Sequence, residues 1–195
     1  MFATGTGRSA AKPSPEPARP VARLVSISRQ EAPQRERARM VARTSQPGMS
    51  SYAAARPAAV AVAASGDEQR AFELINAERR RRGLSPLALD GTLTRMARYH
   101  SSNMASYGFL NHIDRDGLDL SGRAELLGVR GWRAIGENVA YNQGYPDPTA
   151  FAVERWMISD KHRANILNGE FTHAGVGIAR AADGRVFFTQ VFMKR

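Results

Sequence analysis

The chain has 195 residues, a net charge of +10 and no cysteine. That length admits one domain with a sizeable core or a small pair, and the missing cysteines exclude a disulfide framework and a thiolate metal site. No apolar run reaches the roughly 18 residues that a membrane-spanning helix needs.

Composition divides the chain near residue 66. Residues 1–66 hold seven of the ten prolines and, among the fifteen aromatics, only Phe2 and Tyr52. A segment so poor in large apolar groups cannot offset a chain entropy of roughly 1–2 kcal/mol per residue, which predicts disorder over 1–66. Residues 67–195 carry the other aromatics and all four histidines, enough for one domain. The charge divides the same way, with net +7 on residues 1–66 and net +3 on residues 67–195. A basic segment attracts anionic surfaces through screened forces. It has no interleaved aromatics for base stacking and no recognition motif, so no specific nucleic-acid partner is expected. Ala53 to Gly66 is an Ala-rich run ending in the small-residue pattern Ala61-Val62-Ala63. A start at Met40 or Met49 would make it a mis-started signal region, whereas Arg56 and Pro57 interrupt its apolar core and favour a linker. The compartment expected is secreted or cell envelope, and cytoplasmic if no signal is used.

The first helix is expected from Asp67 to about Arg82, with Phe72, Ile75 and Arg79 at helical spacing and Gly83 as its left-handed stop. The run Arg79 to Arg82 lies near the C-terminal end, where the helix dipole favours positive charge, and reads as a solvated end. Asp90 caps a second helix that runs to about Tyr107, with Leu93, Met96, Ala97, His100 and Met104 forming its apolar stripe. His100 therefore reads as a core histidine. Gly108 to Gly117 is a loop. Its Asp114-Arg115-Asp116-Gly117 resembles part of a calcium loop, but the first and twelfth positions would be His112 and Arg123, where acidic ligands are required. Asp114 and Asp116 read instead as turn residues.

A short helix is expected over Ser121 to Leu127, then partly extended chain over Val129 to Asn142, interrupted at a tight Gly136-Glu137-Asn138 turn. Asp147 and Pro148 are N-cap and first residue of a third long helix running to about His162. Asp183-Gly184 between two β-type runs, Ala174 to Ala179 and Val186 to Phe192, predicts a hairpin. Gly175 and Gly177 allow close packing there and are no phosphate loop, because no helix follows them.

The chemistry-bearing residues are His112 and Glu137 on loops, with Ser159 and His162 three positions apart at a helix end. Neutral imidazoles are common ligands for zinc-like ions, and a carboxylate can complete or orient the set.

The motifs Leu74-Ile75-Asn76-Ala77-Glu78-Arg79, Gly136-Glu137-Asn138-Val139-Ala140, Trp156-Met157-x-Ser159-x-x-His162-Arg163-x-Asn165-Ile166-Leu167, Gly175-Val176-Gly177 and Thr189-Gln190-Val191-Phe192 run in order through residues 67–195. Together they resemble the CAP superfamily of cysteine-rich secretory, venom-allergen and pathogenesis-related proteins, in its cysteine-free bacterial branch. The resemblance implies an α+β fold, a three-layer α-β-α sandwich around a central antiparallel sheet, in a protein that is usually exported. It also implies a cleft lined by two histidines and two glutamates able to hold a divalent metal. His112, Glu137 and His162 match three of these, and Ser159 stands where the second glutamate would fall. Zinc or another divalent ion held by His112 and His162 would then be bound weakly.

Three readings follow. The first is a non-catalytic binding module acting at the cell envelope as a monomer, its partner a small ligand, a lipid or an envelope component. The second is a metal-assisted hydrolase using His112, Glu137 and His162, with a Ser159–His162 nucleophilic pair as a variant. In the third, the same residues tie loops to the sheet by buried hydrogen bonds.

Overall fold

In the computed structural model, residues 20–31 and 65–195 are described. Helix α1 (Gly66–Arg80) begins at Ser65, whose hydroxyl accepts from the Glu68 amide while the Glu68 carboxylate accepts from the Ser65 amide. The reciprocal pair satisfies two amides that a helix start leaves open. Gly83 sits at φ +71° just beyond the end, in the left-handed conformation its position requires. Arg79 departs from the expected solvated run. It is 1 % exposed, and its guanidinium donates to the carbonyl oxygens of Ser85, Ile166, Asn168 and Phe171. Four acceptors in one fork geometry make burial tolerable for a charge that is otherwise costly to desolvate.

Asp90 caps helix α2 (Gly91–Tyr107) by accepting from the amides of Thr92 and Leu93. The expected stripe is buried, with Leu93, Met96, Ala97, His100 and Met104 all fully enclosed. After the loop, where Asp114 Oδ1 accepts from the Asp116 and Leu118 amides as a turn residue, comes helix α3 (Leu120–Leu126).

The sheet holds strands β1 (Val21–Glu31), β2 (Ala88–Leu89), β3 (Ala134–Gln143), β4 (His173–Arg180) and β5 (Val186–Lys194), in the order β1-β3-β5-β4-β2. All neighbours run antiparallel except β2 and β4. Helices α1, α4 (Pro148–Ile158) and α5 (Asp160–Ile166) cover one face over Trp156, Phe171, Phe188 and Phe192. Helices α2 and α3 cover the other, over Leu93, Met96, Leu120, Ile135 and Val191. The three layers are those expected. Close approach of α2 to the sheet depends on two glycines: a Cβ on Gly175 would lie 2.2 Å from the Thr94 nitrogen, and one on Gly177 2.1 Å from the Arg98 nitrogen.

Besides Arg79, three local expectations need correction. Gly136-Glu137-Asn138 is no turn but the interior of β3, paired with Phe192, Val191 and Gln190 of β5. Glycine is needed there because a Cβ would come 2.9 Å from the Phe171 ring. The third helix is two helices. Ser159 leaves helical geometry at φ −79°, ψ 121°, ending α4 and starting α5. Finally, Val21–Glu31 lies in the segment read as disordered, yet it forms strand β1 on the edge of β3. Val25 and Ile27 alternating with Ser26 and Ser28 are its sequence signal, too short to stand out until β3 offers a partner. The rest of residues 1–64, including most of the signal-like run, lies outside the described residues.

Candidate functional site

Side chains alternate across β3, so Ile135, Glu137 and Val139 face α2 and α3, while Gly136, Asn138 and Ala140 face α4 and α5. Glu137 is thereby delivered, fully buried, into the layer that holds the loop after α2. His112, in that loop, donates from Nδ1 to Glu137 Oε1 at 2.7 Å. Arg123 of α3 donates from Nη2 to Glu137 Oε2 at 2.6 Å, and from Nη1 to the His112 carbonyl at 2.6 Å. The carboxylate, the guanidinium and the His112 main chain therefore form one closed unit, in which both carboxylate oxygens are engaged.

His100 stands behind this unit. Its Nε2 donates to the Asn111 carbonyl at 2.8 Å and lies 3.9 Å from Glu137 Oε1. Burial pushes the Glu137 carboxyl up, but the His112 hydrogen bond and the Arg123 charge outweigh it and hold the group below its usual value. Burial also lowers His100, against the pull of Glu137. Ion pairing keeps the acid charged, and desolvation keeps the core histidine neutral.

His162 comes from the opposite layer. Its Nδ1 lies 2.7 Å from Ser159 Oγ, across the kink between α4 and α5. Asn138 donates to the His162 carbonyl at 3.2 Å, and Asn165 donates to Asn138 Oδ1 at 2.9 Å and to the Glu137 carbonyl at 3.3 Å. This amide ladder fixes α5 to the central strand. Burial lowers the His162 pKa; a hydrogen bond with the Val25 backbone of β1 opposes the shift, and the proximity of His112 adds to it.

The expected residues therefore fall into two hydrogen-bonded pairs, His112–Glu137 beside β3 and Ser159–His162 at the start of α5, and His162 is close enough to His112 to feel its charge. His112 and His162 are each 4 % exposed, and among the described residues neither Nε2 makes a hydrogen bond of ordinary geometry. Two residues were missed at the sequence level. Arg123 appeared only as an unsuitable calcium position, and His100 only as core. A buried carboxylate at Glu137 demands a cationic partner, but its position 14 residues away carries no local signature.

The donor set fits a closed zinc site poorly. Glu137 is occupied by His112 and Arg123, and Ser159 brings a neutral hydroxyl, which leaves two imidazole nitrogens where tetrahedral zinc takes three or four protein ligands. Among the described residues no group of three or more His, Cys, Asp or Glu side chains is arranged to hold a metal ion.

Comparison with known proteins gives one consistent answer. The family model for CAP, the cysteine-rich secretory protein family, matches residues 72–192. The uncharacterized protein YkwD of Bacillus subtilis is 36 % identical over 126 residues, 65 % of this chain and 46 % of that protein. An extracellular protein containing an SCP domain from Bacillus anthracis has a crystal structure that superposes with a TM-score of 0.58 at 32 % identity, covering 67 % of this chain and 41 % of that one. An outer surface protein of Borrelia burgdorferi shares the fold at a TM-score of 0.59 and 20 % identity, over 66 % of this chain and 92 % of its own. The chain spans less than half the length of the curated relatives it matches.

Proposed function

The chain belongs to the CAP family of cysteine-rich secretory proteins, and on that premise we propose that it is an exported, non-catalytic binding module of the cell envelope. Its ligand-facing groups are the Nε2 atoms of His112 and His162. The observation that carries this reading is their state: among the described residues the Nε2 atoms of these two buried imidazoles make no hydrogen bond of ordinary geometry, and each ring is fixed in orientation through its Nδ1. A buried polar atom left open costs free energy comparable to a lost hydrogen bond, so such a pair is a standing invitation to a polar ligand. The extracellular SCP-domain relative supports an exported location.

Hydrolysis has less in its favour. A general base needs a carboxylate free to take a proton, and Glu137 is held charged between His112 and Arg123. Ser159 and His162 are in hydrogen-bond contact, but among the described residues no acid orients the far nitrogen of that imidazole, so a nucleophilic triad is incomplete there.

The test pairs binding with turnover. The purified chain is mixed with envelope lipid vesicles and cell-wall fragments, and separately with ester and peptide substrates. Retention on an envelope component, reduced in His112→Ala and His162→Ala and without turnover, is the expected result. Turnover abolished by His162→Ala and Ser159→Ala would replace this reading with the hydrolase.

A further inference from the structure

Over its described side chains, strand β1 is less buried than the strand beside it. Its side chains from Val21 to Val25 are exposed or half-buried, whereas β3 is buried over nearly its whole length. The β1–β3 pairing carries one extra residue between Ile27 and Gln30, opposite Glu137 and Ile135, and a bulge of this kind leaves backbone groups out of the ladder. Strand β1 is also an edge strand of the sheet, and residues 32–65 separate it from α1. Exposed or half-buried side chains over Val21–Val25, an irregular ladder and a place at the sheet edge put the element at the low end of local stability.

Its location links this looseness to the site. The register sets Ile27 against Glu137 and Val25 against Val139. Helix α5, which carries His162, packs against β1. Phe109 and Leu110, which lead into His112, cluster with Val25 on the other side. The strand therefore runs along the β3 edge between the two elements that present the imidazoles. Both rings are buried with an open nitrogen, so a ligand reaches them only if something moves.

We propose that the edge of β3 is a docking groove for an extended peptide backbone, that residues 21–31 of this chain are its resident occupant, and that their departure uncovers His112 and His162. The inference rests on reading these two histidines as the ligand-facing groups. Departure frees a row of β3 amides and carbonyls beside the site, and such an edge accepts another extended segment by main-chain hydrogen bonds.

The test uses the full chain and diethyl pyrocarbonate, which acylates accessible neutral imidazole nitrogen, with each histidine followed by mass spectrometry. Successive amides of a strand point in opposite directions, so in Leu24→Pro/Val25→Pro one lost amide lies on the β3 side. Acylation of His112 and His162 is expected to rise about 10-fold or more in this variant while His100 stays protected, and excess synthetic peptide 21–31 is expected to restore the slow rate. Equal rates in the two proteins overturn the proposal. If His100 also becomes reactive, the variant has opened globally, and hydrogen exchange of the unaltered chain decides. Amides of β1 exchanging well ahead of those of β5 support the proposal, and exchange of both together overturns it. No envelope ligand enters the readout, so failure of the binding-module reading is seen separately, as loss of retention in both proteins.

Discussion

His112 Nδ1 and Glu137 Oε1 lie 2.7 Å apart, joining a loop and the central strand across 25 positions of sequence, and the other oxygen of the same carboxylate takes Arg123 at 2.6 Å. Glu137 is thus an orienting group whose charge is fully used inside the protein. Glu137→Gln keeps the shape but leaves the buried Arg123 guanidinium without a counter-charge. The expected loss is about 3–5 kcal/mol, the range for breaking a buried pair by removing one partner. Urea denaturation checks it, and the cycle with Arg123→Met is informative because the double variant should lose less than the sum of the singles. Additive losses would mean that the two groups are not coupled.

The same cluster sets the response to acid. His100 and His162 are held below their ordinary value of 6.5 by burial, so the unfolded chain takes up protons first as pH falls. Their contribution to stability is full above about pH 6.5, declines below it by up to about 1.4 kcal/mol per pH unit for each group, and levels off once the folded-state value is passed. Glu137 is held below its ordinary 4.5 by His112 and Arg123 despite burial, so its contribution persists to lower pH and is lost as pH falls below about 4.5. Denaturation midpoints are expected to drop in two stages. In His100→Gln the upper stage should shrink while the lower remains; an unchanged upper stage would show that His100 does not titrate on unfolding.

How much of this is legible in the sequence depends on the range of the forces involved. Asp90, Asp147, Gly83 and the Asp183-Gly184 turn act on residues within a few positions, and each stands where its local chemistry predicts. Gly136-Glu137-Asn138 looks like a turn because Gly and Asn favour turns. It is a strand because Phe171 leaves no room for a side chain and β5 pairs along its length. Arg79 looks solvated because arginines follow it, and only the folded chain brings four carbonyls around it. Strand β1 is the extreme case: its few apolar residues mean little until the edge of β3 gives them a place.

The two glycines under α2 yield a packing prediction. Gly177→Ala would set a methyl group 2.1 Å from the Arg98 nitrogen and 2.2 Å from the Ala97 carbonyl carbon, both backbone atoms that no rotamer change can move. Overpacking usually costs about 1–3 kcal/mol, and a clash with a helix backbone belongs at or above the top of that range. Thermal melting should show a loss of about 3 kcal/mol or more, with Gly66→Ala, where a Cβ meets nothing within 4 Å, as the mild control. A loss under about 1 kcal/mol at position 177 would mean that α2 shifts away from the sheet easily.

Ser159 stands where the resemblance of the motifs implies a glutamate. Its hydroxyl reaches His162 Nδ1 at 2.7 Å, and its backbone turns the chain from α4 into α5, so the position lies beside one open imidazole. Two nitrogen donors alone make a weak zinc site, and a carboxylate supplies both a third donor and a negative charge. Calorimetry of the native chain at pH 7 is expected to show weak zinc binding at most, and Ser159→Glu should tighten it about 10-fold or more. In Ser159→Glu/His112→Ala that gain should disappear, because two of the three donors would remain. Equal affinities in the native and Ser159→Glu proteins would mean that position 159 faces His162 Nδ1 without facing the space between the two histidines. That result would leave the serine a local orienting group and would take the metal out of the chemistry of these two histidines.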